Sequence, residues 1–309
     1  MKIGLFFGAA ETDDVRLENV VAQGVQAEAD GFDSFWMPHI HRRGSDTLTA
    51  LAFVGAQTKR IALGTGVVPL FALHPMMLAQ QAITTQIAAK GRLTLGIGPS
   101  HKPAIEDQLG LSFARPAQRV EEYLAVLRPL IDEGEVDFDG DFYNVHAALE
   151  IPDRLPVSVM VAALAPRMLR LAGGVADGTV TWMAGLSAIQ SHVVPRVNAA
   201  AAQAGKSDAR ICVGLPVAVT DDEMEGRAKA AEIFERYGTL TNYRRILDVG
   251  GEEGPSGVAV IGDEAEVERQ IRAFADAGAT EFIANVFPVG DDADASTART
   301  RALLKSLVG

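Results

Sequence analysis

The sequence predicts an α/β protein built as a (β/α)8 TIM barrel with insertions, and three observations carry that prediction. Eight short strand-like runs alternate with helical patterns along 309 residues, the alternation that builds a parallel sheet with helices outside it. The joint Ala-Asp-Gly, or a near copy, recurs at Ala29-Asp30-Gly31, Ala176-Asp177-Gly178 and Asp276-Ala277-Gly278, where a helix gives way to a strand and glycine suits the left-handed position that closes a helix. Between Arg60 and Lys102, two β-branched runs, each ending in Gly-x-Gly, flank one helical stretch, which is the pattern of a parallel βαβ unit.

In chain order the strands are KIGLFF, DSFWM, RIALGTGVV, RLTLGIG, PVSVMVAA, GTVTW, RICVGLPVAV and EFIANVF. Helical faces lie between them: Leu17, Val20, Val21, Gly24 and Val25 share one side, as do Val120, Leu124, Leu127 and Ile131, and Val267, Ile271 and Phe274 repeat the spacing. Two stretches break the repeat. Residues 133–156 contain VDFDGDFYNV, whose Asp139-Gly140 pair amid alternating residues predicts an inserted hairpin. Residues 237–257, rich in Gly, Glu, Arg and Tyr, follow the seventh helical pattern as a second insertion, placed where a barrel carries lids. Pro129 interrupts the fourth helix and is expected to kink it. Residues 1–309 are expected to form one domain.

Composition narrows the function. A formal charge of −12 argues against nonspecific binding to nucleic acid or anionic lipid, because both need a basic face. Any anionic ligand must be caught by a local basic cluster. The single cysteine, Cys212, sits in an apolar run, so no intramolecular disulfide is possible and a cytoplasmic setting is expected. The N-terminal IGLFFGAA is short and meets Glu11, Asp13 and Asp14 at once, so it reads as a first strand and not a signal peptide. Residues 61–79 carry no formal charge, but Gly64, Gly66, Pro69 and Pro75 break any membrane span.

The glycine pairs Gly64/Gly66 and Gly96/Gly98 fall where a strand passes into its following loop, the edge at which such sheets bind ligands. Glycine there is expected to let bare backbone approach a flat ligand. Neither pair continues to the third glycine of a dinucleotide fingerprint, which argues against a Rossmann dehydrogenase.

The segment HPMMLAQQAITTQIAAKGRLTLGIG resembles the signature of the bacterial luciferase-like superfamily, in which His-Pro opens a helix and Gly-Arg precedes a strand ending in Gly-x-Gly. GFDSFWMP, FDGDFYNV and GATEFIANVF extend the likeness over nearly the whole chain. GPSHKPAIEDQLGLSFARPAQRVEEYL is more similar to the branch that uses the deazaflavin coenzyme F420 than to the branch that uses FMN.

The resemblance implies a homodimeric oxidoreductase that holds a deazaflavin or flavin ring at the C-terminal mouth of the barrel. A cis peptide at Gly66-Val67 would press on the ring, with His39, Gly98, Pro99, Ser100 and Lys102 around it. Phosphate contacts carry over to Leu164, Ala165, Arg167 and Met168, at a helix start where free N–H groups suit an anion, although relatives often have two glycines where Leu164-Ala165 stands. Lys102, Arg42 and Arg43 are placed to pair with an acidic glutamyl tail. Some relatives carry Asp-His after the second strand, with His as proton donor; here those positions are His39 and Ile40, so that donor is missing. His101, at a position where some relatives have an acidic residue, is then the leading acid–base candidate, with His39 and Glu106 behind it. Trp36, Phe71, Trp182 and Phe287 are expected to line a partly apolar mouth.

Three alternatives stay open. An FMN enzyme of the same superfamily would be a monooxygenase. His39-Ile40-His41 puts two imidazoles on one side of an extended strand, as at a metal-dependent hydrolase site, with His101 as a third ligand, although EFIANVF offers no Asp to complete the set. A flavin-binding protein without turnover is the third.

Overall fold

The computed structural model describes residues 1–207 and 209–309. Eight parallel strands close into a barrel: Lys2–Phe6, Ser34–Met37, Ala62–Thr65, Leu93–Gly98, Ser158–Ala162, Gly178–Trp182, Arg210–Val219 and Glu281–Val286. Each pairs with the next, and the ring shuts where Lys2 faces Glu281. All eight predicted strands form, because each β-branched run is buried on both faces between a filled interior and an outer helix.

The predicted helices Leu17–Asp30, Pro116–Asp132 and Glu264–Asp276 take their places outside the barrel. Two of the three glycine joints close helices as expected, Gly31 at φ 94° and Gly278 at φ 100°. Gly178 does not. Its helix ends earlier, at Gly174, and Gly178 opens the sixth strand at φ 150°, where a Cβ would stand 1.9 Å from the Arg210 carbonyl oxygen. Pro129 falls in the last turn of its helix, and its carbonyl accepts from the amides of Glu133 and Gly134 that end the turn.

The hairpin forms as Glu135–Asp139 against Asn144–Ala148, antiparallel and apart from the barrel sheet. The second excursion is longer than the sequence indicates. Helices Glu223–Thr239, Thr241–Gly250 and Pro255–Val258 follow one another after the seventh strand, and only then does Val260–Gly262 pair with Val217–Val219 and lead into Glu264–Asp276. The helix taken from its periodicity as the seventh of the outer ring thus belongs to the excursion. Among the described residues no helix is long and apolar enough to cross a membrane.

At the N-terminal end the barrel is plugged by a polar cluster. Glu281, 2% exposed, accepts from the Ser34 hydroxyl, from Trp36 Nε1 at 2.8 Å and from Arg210 Nη2 at 3.0 Å. Arg210 Nη1 also donates to Thr94 Oγ1 and Ser158 Oγ. The opposite end is open.

Candidate active site

At the C-terminal mouth, a cavity of about 270 Å³ lies between the loops after strands one to four and the helices Glu223–Thr239 and Thr241–Gly250. Phe6, Val67, Trp182, Ile233 and Leu240 form its apolar wall, and His39, His41 and His101 face it from the barrel rim. The Gly66-Val67 peptide is cis, as the resemblance implies. The amide of Gly66 donates to the Met37 carbonyl at 2.7 Å and the amide of His39 donates to the Val67 carbonyl at 3.2 Å, which ties this turn to the loop after strand two.

The glycines at this edge mostly serve packing, a correction to the expectation of bare backbone. A Cβ on Gly64 would stand 2.2 Å from the Trp36 ring, one on Gly96 would stand 2.0 Å from the Thr65 carbonyl oxygen, and one on Gly98 would stand 2.9 Å from Val67 Cγ2. Only Gly66 of the four lines the cavity. The other three seat the protein's own side chains and main chain.

His101 and His39 are set differently. His101 follows Ser100, whose φ of 62° places a non-glycine residue in the left-handed region. Its Nδ1 lies 3.2 Å from Asn242 Oδ1, and its ring packs 5.3 Å from that of Tyr243. Burial pushes its pKa below the ordinary value, against the pull of Asn242. His39 Nδ1 is 3.4 Å from Asp46 Oδ2 but is not aligned for a hydrogen bond, and burial lowers its pKa despite the Asp46 charge. His41 Nε2 meets Gln108 Oε1 at 3.0 Å.

Of the other predicted cofactor-binding and acid–base residues, Ser100, Arg42 and Arg43 line the cavity and the rest do not. Lys102 pairs with Glu106 at 3.6 Å on the outside of the rim, so neither joins the cavity wall, and Gly98 and Pro99 also stay out of it while Ser100 enters. Arg42 is bound by Glu11 at 2.9 Å, and Arg43 donates to the carbonyls of Ala10, Glu11 and Asp13. Leu164 and Ala165 lead into the helix Pro166–Gly174, apart from the cavity; Arg167 pairs with Glu121 at 2.7 Å and Met168 is buried. The first bond of that helix runs from Leu169 to Ala165, which leaves the amides of Arg167 and Met168 without helical partners.

Of the four aromatics expected at the mouth, Trp182 alone lines the cavity. Trp36 turns down onto Ser34 and Glu281, Phe287 is fully buried against Phe234, and Phe71 stacks on Phe113 under the Arg119 guanidinium. Glu232, Ile233, Glu235, Arg236 and Leu240, on the far wall, were not singled out by the sequence. Their helix reads by periodicity like any other outer helix, and nothing local marks it as overhanging the mouth. Among the described residues no three His, Cys, Asp or Glu side chains converge as metal ligands.

Among the described residues, the buried indole and imidazole nitrogens without partners, on Trp182 and His39, lie at the C-terminal mouth of the parallel barrel, the end at which such barrels bind ligands. The family follows from comparison with known proteins: the profile of the luciferase-like monooxygenase family matches residues 1–281, so the chain belongs to that family. It is 31% identical to an F420-dependent glucose-6-phosphate dehydrogenase of Beutenbergia cavernae, over 92% of this chain and 83% of that one. Among solved structures it is similar to an F420-dependent secondary alcohol dehydrogenase in complex with an F420-acetone adduct (TM-score 0.78, 20% identity, 98% and 97% of the two chains). It is also similar to an FMN-bound type II Baeyer-Villiger monooxygenase component of Pseudomonas putida (TM-score 0.74, 19% identity, 100% and 97%). Within the family, the sequence likeness runs to F420-dependent oxidoreductases.

Proposed function

We propose that the chain is an F420-dependent oxidoreductase acting on a small, uncharged, partly apolar alcohol or carbonyl compound, with His101 as the acid–base group. The observation that carries this reading is the mouth cavity itself, walled on one side by Gly66 and Val67 and on the other by His101 and Trp182. The residues suit a flat redox ring. Trp182 Nε1 and His39 Nδ1 are buried polar atoms with no hydrogen-bond partner among the described residues, and the apolar face of Val67 lies beside them. The volume sits just under the usual span for drug-sized ligands, about 300–1,000 Å³, so the cavity suits a ring and a small reactant, with any tail directed outside.

A bound deazaflavin supplies a hydride acceptor or donor at its C5. The protein must hold the reactant and handle the proton. His101, kept neutral by burial, has the form needed to take the hydroxyl proton as an alcohol loses hydride from its carbinol carbon, and to return it when a carbonyl is reduced. Charge at the cavity balances: Arg42, Arg43 and Arg236 stand with Glu11, Glu232 and Glu235. Among the described residues, each lining arginine is already engaged: Arg42 and Arg236 share Glu11, at 2.9 and 3.7 Å, and Arg43 donates to main-chain carbonyls. This argues for an uncharged reactant in this chain.

The FMN reading is kept by the likeness to the FMN-bound monooxygenase component. Titration of purified apoprotein with F420 and with FMN, followed by fluorescence and visible absorption, separates the two. We expect saturable binding of F420 and none of FMN at the same concentrations. Binding of FMN alone, at micromolar affinity or better, would overturn the assignment.

A further inference from the structure

We infer that Asn242 is a positioning residue that fixes the His101 ring in its Nδ1–H tautomer and leaves Nε2 as the bare, proton-accepting atom. The geometry is asymmetric in a useful way. An amide oxygen can only accept, so a hydrogen bond between His101 Nδ1 and Asn242 Oδ1, 3.2 Å apart, requires the proton on Nδ1. In a neutral imidazole the other nitrogen is then an acceptor, and the bond made by one ring nitrogen sets the role of the other.

Asn242 comes from far away in the chain. The two residues are 141 positions apart, His101 on the loop after the fourth strand and Asn242 in the first turn of Thr241–Gly250. An Asn near a helix start commonly caps its own helix, yet this helix has no side-chain cap. Its amide reaches across the mouth instead. Tyr243, the next residue, lays its ring against the imidazole at 5.3 Å, and Tyr237 donates to the Ala9 carbonyl at 3.2 Å from the preceding helix. Ser100 in its left-handed conformation aims the chain at this contact. The charged and titratable groups that bear on the ring are Arg236 and Tyr243 from the excursion, while Lys102 and Glu106, on its own loop, pair with each other.

The consequence is a coupling between the excursion and the chemistry. Only while Thr241–Gly250 lies across the mouth does His101 carry its proton on the nitrogen that faces Asn242. The catalytic meaning of the bare Nε2 rests on the function proposed above; the tautomer does not.

The full chain without cofactor, labelled with 15N-histidine, tests the inference by two-bond proton–nitrogen correlation spectra, with His101→Gln assigning the His101 signals. The native ring is expected to show Nδ1 protonated and Nε2 bare. In Asn242→Leu the pattern should move to the Nε2–H form, and Asn242→Asp, which keeps an oxygen acceptor, should retain the native pattern. Asn242 is exposed, so these variants are expected to melt with the native protein. A native ring already protonated on Nε2, or an Asn242→Leu spectrum unchanged from native, overturns the assignment. Because the spectra need no cofactor, failure of the F420 titration and failure of the tautomer assignment are read separately.

Discussion

The two ends of the barrel treat polar groups in opposite ways. At the N-terminal end, the Glu281 carboxylate and the Arg210 guanidinium are met by Ser34, Trp36, Thr94 and Ser158. At the C-terminal mouth, His39 Nδ1, Trp182 Nε1 and Asn285 Oδ1 are buried without partners among the described residues, whereas Arg92 Nε, buried and unpartnered at the other end, belongs to a guanidinium that donates four hydrogen bonds through Nη1 and Nη2. A buried polar group left unpaired costs roughly 1–3 kcal/mol, so the first arrangement serves stability and the second is tolerated where something else completes it. Barrels divide their ends in this way.

Breaking the closed end should have the largest effect. Glu281→Ala removes a buried carboxylate that accepts from Ser34, Trp36 and the one-third-exposed Arg210, which is expected to cost about 3 kcal/mol, read as a lower urea midpoint. Trp36, which the same carboxylate holds down, should lose its fixed near-ultraviolet signal with it. If the midpoint shift corresponds to a loss of less than about 1 kcal/mol, the size of a single ordinary hydrogen bond, the cluster is dispensable and the contrast between the ends is wrong.

The glycines sharpen the comparison between strand three and the turn that follows it. Gly64→Ala drives a Cβ into the Trp36 ring at 2.2 Å and should cost about 1–3 kcal/mol by overpacking. Gly66→Ala meets nothing nearer than Phe6 Cε2 at 3.0 Å, yet it narrows the cavity. The first should lower the melting temperature with little change in F420 affinity in the surviving fold, and the second should do the reverse. Equal effects on both measurements would remove the distinction between packing and ligand glycines. Smaller again is Tyr237→Phe. Its hydroxyl, pushed up to about 12 by burial, donates to Ala9, and its loss should cost about 1 kcal/mol, seen as faster amide exchange in Glu223–Thr239.

The strands were legible because alternation and β-branching are local signals, and Asp139-Gly140 marks its hairpin within four residues. The site was legible only in part. His39, His41, Ser100 and His101 follow strand ends, where the topology alone puts them at the mouth. The Asn242 contact joins positions 141 apart, and Ser34 meets Glu281 across 247, so no window of sequence contains either pair. Trp36 shows the limit best. Its period places it inside the barrel, but whether it points to the mouth or the floor depends on Glu281 offering an acceptor below and Gly64 leaving space for the ring.

The smallest expected effect is a slope in stability with pH, and its sign distinguishes the mouth from the surface. His39 and His101 have native pKa values held down by burial, whereas in the unfolded chain a histidine titrates near about 6.5. Below that pH the unfolded chain takes up protons that the native rings refuse. Stability from these two groups is therefore complete above about pH 6.5 and is lost as pH falls through the native values. His146 on the exposed hairpin has the opposite shift, raised by Asp137 and Asp139, so its contribution is complete below about pH 6.5 and is lost as pH rises through its native value. The windows do not overlap. Thermal melts from pH 8 to pH 5 should fall on the acid side, and the His39→Gln/His101→Gln double variant should flatten that limb while leaving the neutral side in place. If the acid limb keeps its slope in the double variant, the protons that destabilise the fold enter elsewhere and the two rings are not the strained groups of the mouth.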